Sequence, residues 1–294
     1  MTSAQFQSVL VIADPALESL MKLLAEKDQW KIHISNTMAD AFAELSRQTY
    51  DVLITGPDTA ASEDLEFFKR VRKTVPKIKL IALSSEGEKR DVIEAIQESA
   101  FSYFAAPFSA ESIVAMVETA LNAGDWKDGI ELVSNLPSWV TLRVSSSRVT
   151  AERVAQFMRE LELDLPEAER EAVGIAFREM LLNAMEHGGG FDPASKVDLS
   201  YVRTKRMILY QLYDPGPGFL IDRLPQAATS NPTDQPFAHL TYRIEHGLRP
   251  GGFGILVTRE LVDDLLYNEK GNGVLLIKYV SPDLRDQHQV EPSE

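Results

Sequence analysis

The sequence predicts two successive α/β domains, a doubly wound parallel sheet followed by an α/β sandwich. In the first half, short apolar runs alternate with helical periods. In the second half, two helical patterns precede two strand patterns, a further helix and a hairpin. Between the halves, residues 124–129 are polar and include two glycines, which is typical of a linker. The length of 294 residues accommodates two domains of ordinary size.

The first half, residues 1–123, consists of five strand–helix units. Its strand patterns are apolar throughout, and such runs are buried on both faces of a parallel sheet that helices cover. Five consecutive units therefore predict a flavodoxin-like doubly wound domain. The predicted strands are 8–12, 30–34, 51–55, 78–83 and 101–104, and the predicted helices are 15–26, 39–48, 63–74, 90–97 and 110–123.

The second half, residues 130–282, combines helices with a mixed sheet and is predicted to be an α/β sandwich. A long irregular stretch, 220–250, precedes its last helix, and the closing hairpin turns at 271–273. Residues 283–294 form a polar tail. The predicted strands are 130–133, 139–144, 196–203, 207–213, 265–269 and 274–280, and the predicted helices are 147–163, 166–187 and 253–264.

Composition and charge exclude several classes of function. The chain has no cysteine, which excludes disulfides, zinc–thiolate sites and cysteine nucleophiles. Its net charge of −14 disfavours direct nucleic-acid binding, because a phosphate backbone repels an acidic surface. No apolar stretch is long enough to span a bilayer, and no basic region precedes an apolar core at the N-terminus. We therefore expect a cytoplasmic protein that binds neither nucleic acid nor membrane.

Three motifs follow one another in the second half. All three in order, each at a predicted strand or helix boundary, form a far more specific signal than any one alone. They are Glu179-Met-Leu-Leu-Asn183-Ala-Met-Glu-His187-Gly188 at a helix end, Asp214-Pro-Gly216-Pro-Gly218 after a strand, and Gly251-Gly252-Phe253-Gly254 before a helix. In this order they resemble the N, G1 and G2 boxes of the GHKL ATP-binding superfamily. The resemblance implies ATP and Mg²⁺ as ligands.

The first motif places Glu179 and Asn183 on one face of a helix, because residues i and i+4 share a face. An amide oxygen there can ligate Mg²⁺, which prefers oxygen ligands and substrate phosphates. A carboxylate one turn away can accept a proton from an incoming hydroxyl group or water. The family resemblance assigns these roles, with Asn183 as the Mg²⁺ ligand and Glu179 as the catalytic base.

The second and third motifs are predicted to hold the nucleotide. A carboxylate at Asp214, where a strand ends, can accept a hydrogen bond from the adenine amino group. Gly216 and Gly218 can adopt a positive φ and let the backbone approach the nucleotide. Gly252 and Gly254 lie at a helix start, where main-chain amides and the helix dipole attract phosphates.

The sequence allows two roles each for His187 and Arg249. His187 lies either near the phosphates or at the helix end, where it would cap carbonyl groups. Arg249 either reaches the phosphates or is a solvated loop residue. The surrounding stretch, 220–250, is too long for a passive connection and resembles the ATP lid of the superfamily.

The first half resembles a response-regulator receiver domain. Residues 50–56 and 65–68 match the third strand and following helix of a receiver. In that register the position of the phospho-accepting aspartate falls on Gly56. Ser84 matches the hydroxyl residue that follows the fourth strand.

Several groups that receiver phosphorylation needs are missing. The acidic pair after the first strand is reduced to Asp14, since Ala13 stands beside it, and Ala106 replaces the lysine after the fifth strand. Phosphorylation requires an acceptor carboxylate, acids that hold a metal ion and a lysine that neutralises phosphoryl oxygens. One alternative is that Asp58, two residues from Gly56, serves as a substitute acceptor. The favoured interpretation is a pseudo-receiver that serves as a docking module or as a dimerisation module, for example in a homodimer.

The spacing of the motifs also distinguishes branches of the superfamily. None of the five histidines lies on the two helices before the N box, apart from His187 inside it, so histidine autophosphorylation is disfavoured. A compact domain of this kind most resembles the anti-sigma-factor serine kinases. The resemblance implies phosphorylation of a STAS-domain antagonist, or binding of a sigma factor, in partner switching. The alternative is a non-catalytic module that sequesters a regulatory partner when ATP is bound.

Overall fold

A computed structural model of the protein describes residues 7–57, 61–124, 128–219, 235, 238–245 and 252–280. The chain forms two compact units. The first unit comprises Met1–Ile130 and Glu152–Asp164, and the second comprises Glu131–Ala151 and Leu165–Glu294. Compared with the predicted domains, the structure groups one later segment, 152–164, with the N-terminal unit.

The first unit is built on a parallel five-stranded sheet. Its strands are β1 (Gln7–Ile12), β2 (Trp30–Ser35), β3 (Val52–Ile54), β4 (Lys79–Ser84) and β5 (Ser102–Ala105), and its helices are α1 (Glu18–Ala25), α2 (Met38–Arg47), α3 (Ala61–Thr74), α4 (Lys89–Gln97) and α5 (Ala110–Asn122). The strand order is β2-β1-β3-β4-β5, and neighbouring strands pair in parallel. This topology confirms the predicted flavodoxin-like doubly wound sheet.

Burial explains why these apolar runs form the sheet. Every residue of β3, β4 and β5 is buried, as expected of strands covered on both faces. Local capping starts the helices: the Thr37 hydroxyl accepts a hydrogen bond from Asp40 N–H at 3.1 Å at the start of α2. The first predicted helix, 15–26, begins instead with a 3-10 turn over Pro15–Leu17, and α1 follows that turn.

Helix α6 (Arg148–Glu160) explains why segment 152–164 belongs to the first unit. β5 is the edge strand of the sheet, and an edge strand leaves alternate main-chain groups without a strand partner. Three side chains from one face of α6 bond these groups. Arg153 Nε donates to Phe101 O at 2.9 Å, Gln156 Nε2 donates to Tyr103 O at 3.2 Å, and Ala105 N–H donates to Glu160 Oε2 at 3.1 Å.

The described residues of the second unit form a six-stranded sheet and three further helices. Its strands are β6 (Ile130–Leu136), β7 (Trp139–Ser145), β8 (Lys196–Arg203), β9 (Met207–Tyr213), β10 (Asp264–Tyr267) and β11 (Gly273–Tyr279), and its helices are α7 (Glu167–Asn183), α8 (Ala238–Glu245) and α9 (Gly254–Leu261). The strand order is β10-β11-β9-β8-β7-β6. Burial alternates along β8 and β9, so one face of the sheet forms the core. On that face the ring of Phe177 from α7 lies 4.6 Å from the ring of Tyr210.

Three elements of the second unit differ from the prediction. The helix predicted over 166–187 is α-helical only to Asn183 and then widens into a π-helical turn, Ala184–Gly188. The last predicted helix ends at Leu261 rather than at residue 264, because Asp264 already pairs with β11. The predicted irregular stretch 220–250 contains α8, and most of its other residues lie outside the described ones.

None of the helices in the described ranges combines the length and the apolar character needed to cross a membrane.

Candidate functional site

A cavity of about 610 Å³ opens in the second unit, between α7, α9 and the β10–β11 hairpin. This volume lies within the range of small-molecule pockets. Gly216 packs behind the wall of this cavity, and Arg249 lies outside the described residues. The other seven predicted site residues line it: Glu179, Asn183, His187, Asp214, Gly218, Gly252 and Gly254.

Glu179 and Asn183 converge on Gly254. A methyl group built on the Gly254 Cα would lie 2.8 Å from Glu179 Oε2 and 3.4 Å from Asn183 Nδ2. Both side chains project from one face of α7 toward the start of α9, and these two helices pack against each other. The structure thus joins the first and third motifs in one place, and the absence of a side chain at residue 254 is what allows their contact.

Asp214 lies at the end of β9, against the last glycine of the first motif. A methyl group on Gly188 would lie 2.1 Å from Asp214 Oδ1, so only glycine fits at residue 188. The main-chain N–H of Gly216 donates to Asp214 Oδ1 at 2.8 Å. The carboxylate of Asp214 is therefore held on one side by Gly216 of its own motif and packed on the other side against Gly188 of the π-helical turn. These contacts fix it in the cavity wall.

Burial raises the pKa of Asp214 above its usual value, because desolvation disfavours the charged form. The hydrogen bond from Gly216 and the charges of Lys270 and His187 lower that pKa in part. A half-buried carboxylate that is held by one N–H group can accept further hydrogen bonds from a bound ligand.

The glycines of the second and third motifs serve two different purposes. Gly218 and Gly252 have φ angles of 79° and 95°, which favour glycine. The expectation of a positive φ does not hold for Gly216, which is not among the residues with positive φ. Gly216 is required for close packing instead, since a methyl group there would lie 2.8 Å from the Cα of Gly188.

One wall of the cavity is apolar and aromatic. The rings of Phe219 and Tyr267 lie 5.3 Å apart in an edge-to-face arrangement, and both residues line the cavity. Burial raises the pKa of Tyr267 to about 12, so its hydroxyl group stays neutral near pH 7. Met180 and Val274 also line this part of the cavity, which offers apolar side chains that a purine base can contact.

His187 is exposed at the rim of the cavity, in the π-helical turn. Its charge lowers the pKa of Asp214, which places it within electrostatic reach of that carboxylate. Both interpretations of His187, as a phosphate contact and as a helix-end residue, stay predictions.

Sequence reasoning missed two asparagines of the β10–β11 turn, Asn268 and Asn272. Asn272 lines the cavity, and its Nδ2 atom donates to the main-chain oxygen of Asp214 at 2.9 Å. The only signal in the sequence was the pair of glycines beside it, which predicts a turn but not a contact with a residue about 58 positions earlier.

In the first unit, Gly56 and Asp14 are neighbours at the carboxyl ends of adjacent strands. A methyl group on Gly56 would lie 3.2 Å from Asp14 Oδ2, and Asp14 Oδ1 accepts a hydrogen bond from Ala16 N–H at 2.7 Å. The Ser84 hydroxyl donates to Glu86 O at the end of β4. Asp58, the substitute acceptor, lies outside the described residues.

Within the described ranges, no group of three or more His, Asp or Glu side chains could hold a metal ion by itself. Asn183 lines the cavity, and its side-chain amide oxygen is a type of ligand that Mg²⁺ accepts.

Comparison with protein families finds the same two kinds of domain, but the ATPase match includes residues 152–164, which the structure groups with the first unit. Residues 144–278 match the histidine kinase-like ATPase domain, and residues 9–118 match the response regulator receiver domain. The first match indicates ATP binding. The chain thus joins an ATPase-like domain to a receiver domain, a combination that indicates a regulatory signalling protein.

Several curated proteins and solved structures are similar to the receiver half of this chain. The transcriptional regulatory protein GlrR of Escherichia coli is 23% identical over 113 residues, which are 38% of this chain and 26% of GlrR. The transcriptional regulatory protein TrcR of Mycobacterium tuberculosis is 26% identical over 113 residues, or 44% of its own length. A response regulator from Thermotoga maritima is 22% identical, with a TM-score of 0.36, and covers 40% of this chain and 98% of its own. The chain therefore spans less than half of the length of either regulatory protein.

Proposed function

We propose that this protein is a regulatory protein serine/threonine kinase of the anti-sigma-factor type. It would use Mg-ATP to phosphorylate a STAS-domain antagonist in a partner-switching pathway, with a sigma factor as the other partner of the switch. The observation that carries this proposal is the convergence of Glu179 and Asn183 on Gly254 inside the cavity. The ATPase domain match over 144–278 supports the nucleotide-binding part.

The residues of the cavity fit a nucleotide. Its volume of about 610 Å³ suits a ligand of this size, and its aromatic wall suits a base. The start of α9 contributes main-chain amides with no partner in the helix, and α9 has no side-chain cap. Such amides bind phosphate oxygens. The Gly254 position adds room for the phosphates, because a side chain there would fill the space beside Glu179.

The proposal assigns a role to four residues. Asp214 accepts a hydrogen bond from the adenine amino group, and burial makes that bond strong. Asn183 would hold Mg²⁺ through its amide oxygen, and the metal would neutralise phosphate charge. Glu179 accepts the proton of the attacking serine or threonine hydroxyl. Bound ATP supplies the phosphoryl group. Arg249 is proposed to contact the phosphates.

A second candidate function is a non-catalytic binding module. In that case ATP would order the segment 220–250, and the protein would sequester a regulatory partner without phosphotransfer. The presence of a carboxylate at residue 179, in contact with the start of α9, favours catalysis, because a module that only binds ATP has no need of a base there.

The receiver-like unit is proposed to act as a docking or dimerisation module. The proximity of Gly56 and Asp14 supports the receiver register on which this assignment rests, because it places the missing acceptor position beside the one remaining acid. We expect this unit not to be phosphorylated in the way a receiver is, because Gly56 offers no acceptor carboxylate and Ala106 replaces the lysine.

The proposal is tested by incubating the full-length protein with ATP labelled at the γ-phosphate and a panel of STAS-domain proteins. Transfer of the label to a serine or threonine of one panel member is expected. The matched control is Glu171→Gln, which changes an exposed glutamate on the same helix, α7, and should transfer at the wild-type rate. ATP-dependent capture of a panel member with no transfer of label would establish the binding module instead.

A further inference from the structure

The turn between β10 and β11 is organised by a single side chain. Asn268 Oδ1 accepts three main-chain hydrogen bonds, from the N–H groups of Gly271 at 2.7 Å, Asn272 at 3.1 Å and Gly273 at 3.1 Å. The side chain of the first turn residue therefore bonds the main chain at the other end of the turn. Main-chain bonds between the strands alone would not determine this conformation.

Asn272 connects this turn to the second motif by hydrogen bonds to the main chain of Asp214. Its Nδ2 atom donates to Asp214 O at 2.9 Å, and Asp214 N–H donates to Asn272 O at 2.9 Å. Asn268 Nδ2 donates to Asn272 Oδ1 at 3.1 Å. Asn272 is 3% exposed, so both polar atoms of its side chain are used inside the protein rather than offered to the cavity.

Packing on either side strengthens the same connection. Lys270 Nζ donates to Gly216 O at 3.1 Å. A methyl group on Gly218 would lie 2.0 Å from Lys270 O, and one on Gly271 would lie 1.8 Å from Phe219 O. The turn and the segment 214–219 thus interlock without space for any additional atom, and a displacement of the turn would move Asp214 with it.

We infer that Asn268 and Asn272 are positioning residues for base recognition. They fix the main chain on both sides of Asp214, so that its carboxylate meets the 6-amino group of a purine at one defined position. This inference rests on the proposed binding of ATP and adds the source of its base selectivity. The side-chain polar atoms of Asn272 bond Asp214 and Asn268, so its proposed role is to position Asp214.

A merely structural role for these asparagines makes a different prediction. A loosened turn that only lowers the stability of the protein would weaken all purine nucleotides by the same factor. A displaced Asp214 would weaken ATP selectively, because only the hydrogen bond to the 6-amino group depends on its position. The ratio of two affinities therefore separates the two roles.

The test compares ATP with purine riboside triphosphate, which lacks the 6-amino group, by titration calorimetry on the full-length protein. Wild type should bind ATP at least about tenfold more tightly, as expected for a hydrogen bond to a charged group. Asn272→Ala should reduce this ratio to about threefold or less while it leaves the affinity for purine riboside triphosphate nearly unchanged. Asn272 does not have a positive φ, so alanine fits its backbone.

Two further variants make the result decisive. Asn268→Ala should lose the ratio as Asn272→Ala does, and it decides the matter should Asn272→Ala fail to fold. Asn268→Asp keeps an oxygen that can accept the three main-chain N–H groups and should restore most of the ratio. Asn135→Ala, an exposed residue of β6, is the matched control and should behave as wild type.

The outcomes separate the two proposals. A wild-type ratio that persists in folded Asn272→Ala and Asn268→Ala would overturn the positioning role and leave ATP binding intact. A parallel loss of both affinities would also overturn it. Wild-type protein that binds neither nucleotide would overturn the proposed function itself, and the inference with it.

Discussion

Replacing Asp214 by asparagine should weaken ATP binding and, in the same protein, stabilise the nucleotide-free fold. The carboxylate is half-buried, and desolvation raises its pKa. The cavity keeps it in place with a single N–H donor, from Gly216 at 2.8 Å. Asparagine retains an oxygen for that N–H group but loses the charge, so the change isolates the effect of the charge.

The expected loss of affinity follows from the hydrogen bond to the adenine amino group. A hydrogen bond to a charged group contributes about 1.5–3 kcal/mol, which corresponds to roughly 10- to 150-fold in affinity. Titration calorimetry with Mg-ATP measures it directly. Equal affinity in wild type and Asp214→Asn would refute the assignment of Asp214 to the adenine.

The expected gain in stability has a defined pH dependence. Because the pKa of Asp214 is higher in the folded state than in the unfolded state, ionisation of this group favours unfolding. Its contribution to stability is complete below the unfolded pKa and is lost as the pH rises through the folded pKa. Asp214→Asn should therefore melt at a higher temperature than wild type near pH 7, and the difference should shrink as the pH falls toward about 4. A lower melting temperature near pH 7 would contradict the assigned direction.

Three other predictions address both units. Acetyl phosphate should add no phosphoryl group to the protein by intact-mass measurement, because Gly56 offers no carboxylate; an addition that Asp58→Asn abolishes would show the receiver register to be wrong. Arg153→Ala should lower the free energy of unfolding by about 3 kcal/mol, because it leaves buried carbonyl oxygens and a cavity beside β5. The exposed Arg47→Ala should change it by less than about 0.5 kcal/mol, and equal effects in denaturant titrations would contradict the edge-strand role of α6. Gly254→Ala should slow phosphotransfer by about tenfold or more, because its methyl group would lie 2.8 Å from Glu179 Oε2 and would displace that flexible carboxylate; transfer at the wild-type rate would exclude the close approach.

The sequence was sufficient to predict the elements whose patterns are local. Strands β8 and β9 have the predicted bounds, 196–203 and 207–213, because alternating burial and adjacent turns determine a strand without reference to distant residues. The parallel sheet of the first unit was predicted for the same reason. Its strands are apolar throughout, and every residue of such a strand is buried only in a parallel sheet that helices cover on both faces.

Features that depend on distant partners could not be predicted. Side chains on one face of α6 bond the edge of β5, but an amphipathic pattern does not say which surface it meets. The same limit applies to Asn272, whose hydrogen bond to Asp214 joins residues on two strands that are far apart in sequence. The sequence indicates that Gly216 can adopt a positive φ, whereas the structure requires glycine there because Gly188 is so close, which only the folded chain shows.

The central claim, phosphotransfer with Glu179 as the base, is tested most directly by measuring ATP affinity and phosphotransfer rate in the same two variants. Glu179→Gln should keep ATP affinity within a few-fold of wild type while transfer to a partner serine falls by about 10²- to 10⁴-fold, since a general base acts on the hydroxyl group rather than on the nucleotide. Asn183→Ala should reduce both, because the Mg²⁺ ligand serves binding and transfer alike. ATP-dependent partner binding that Glu179→Gln leaves unchanged, in a wild-type protein that never transfers phosphate, would contradict the kinase and support the binding module.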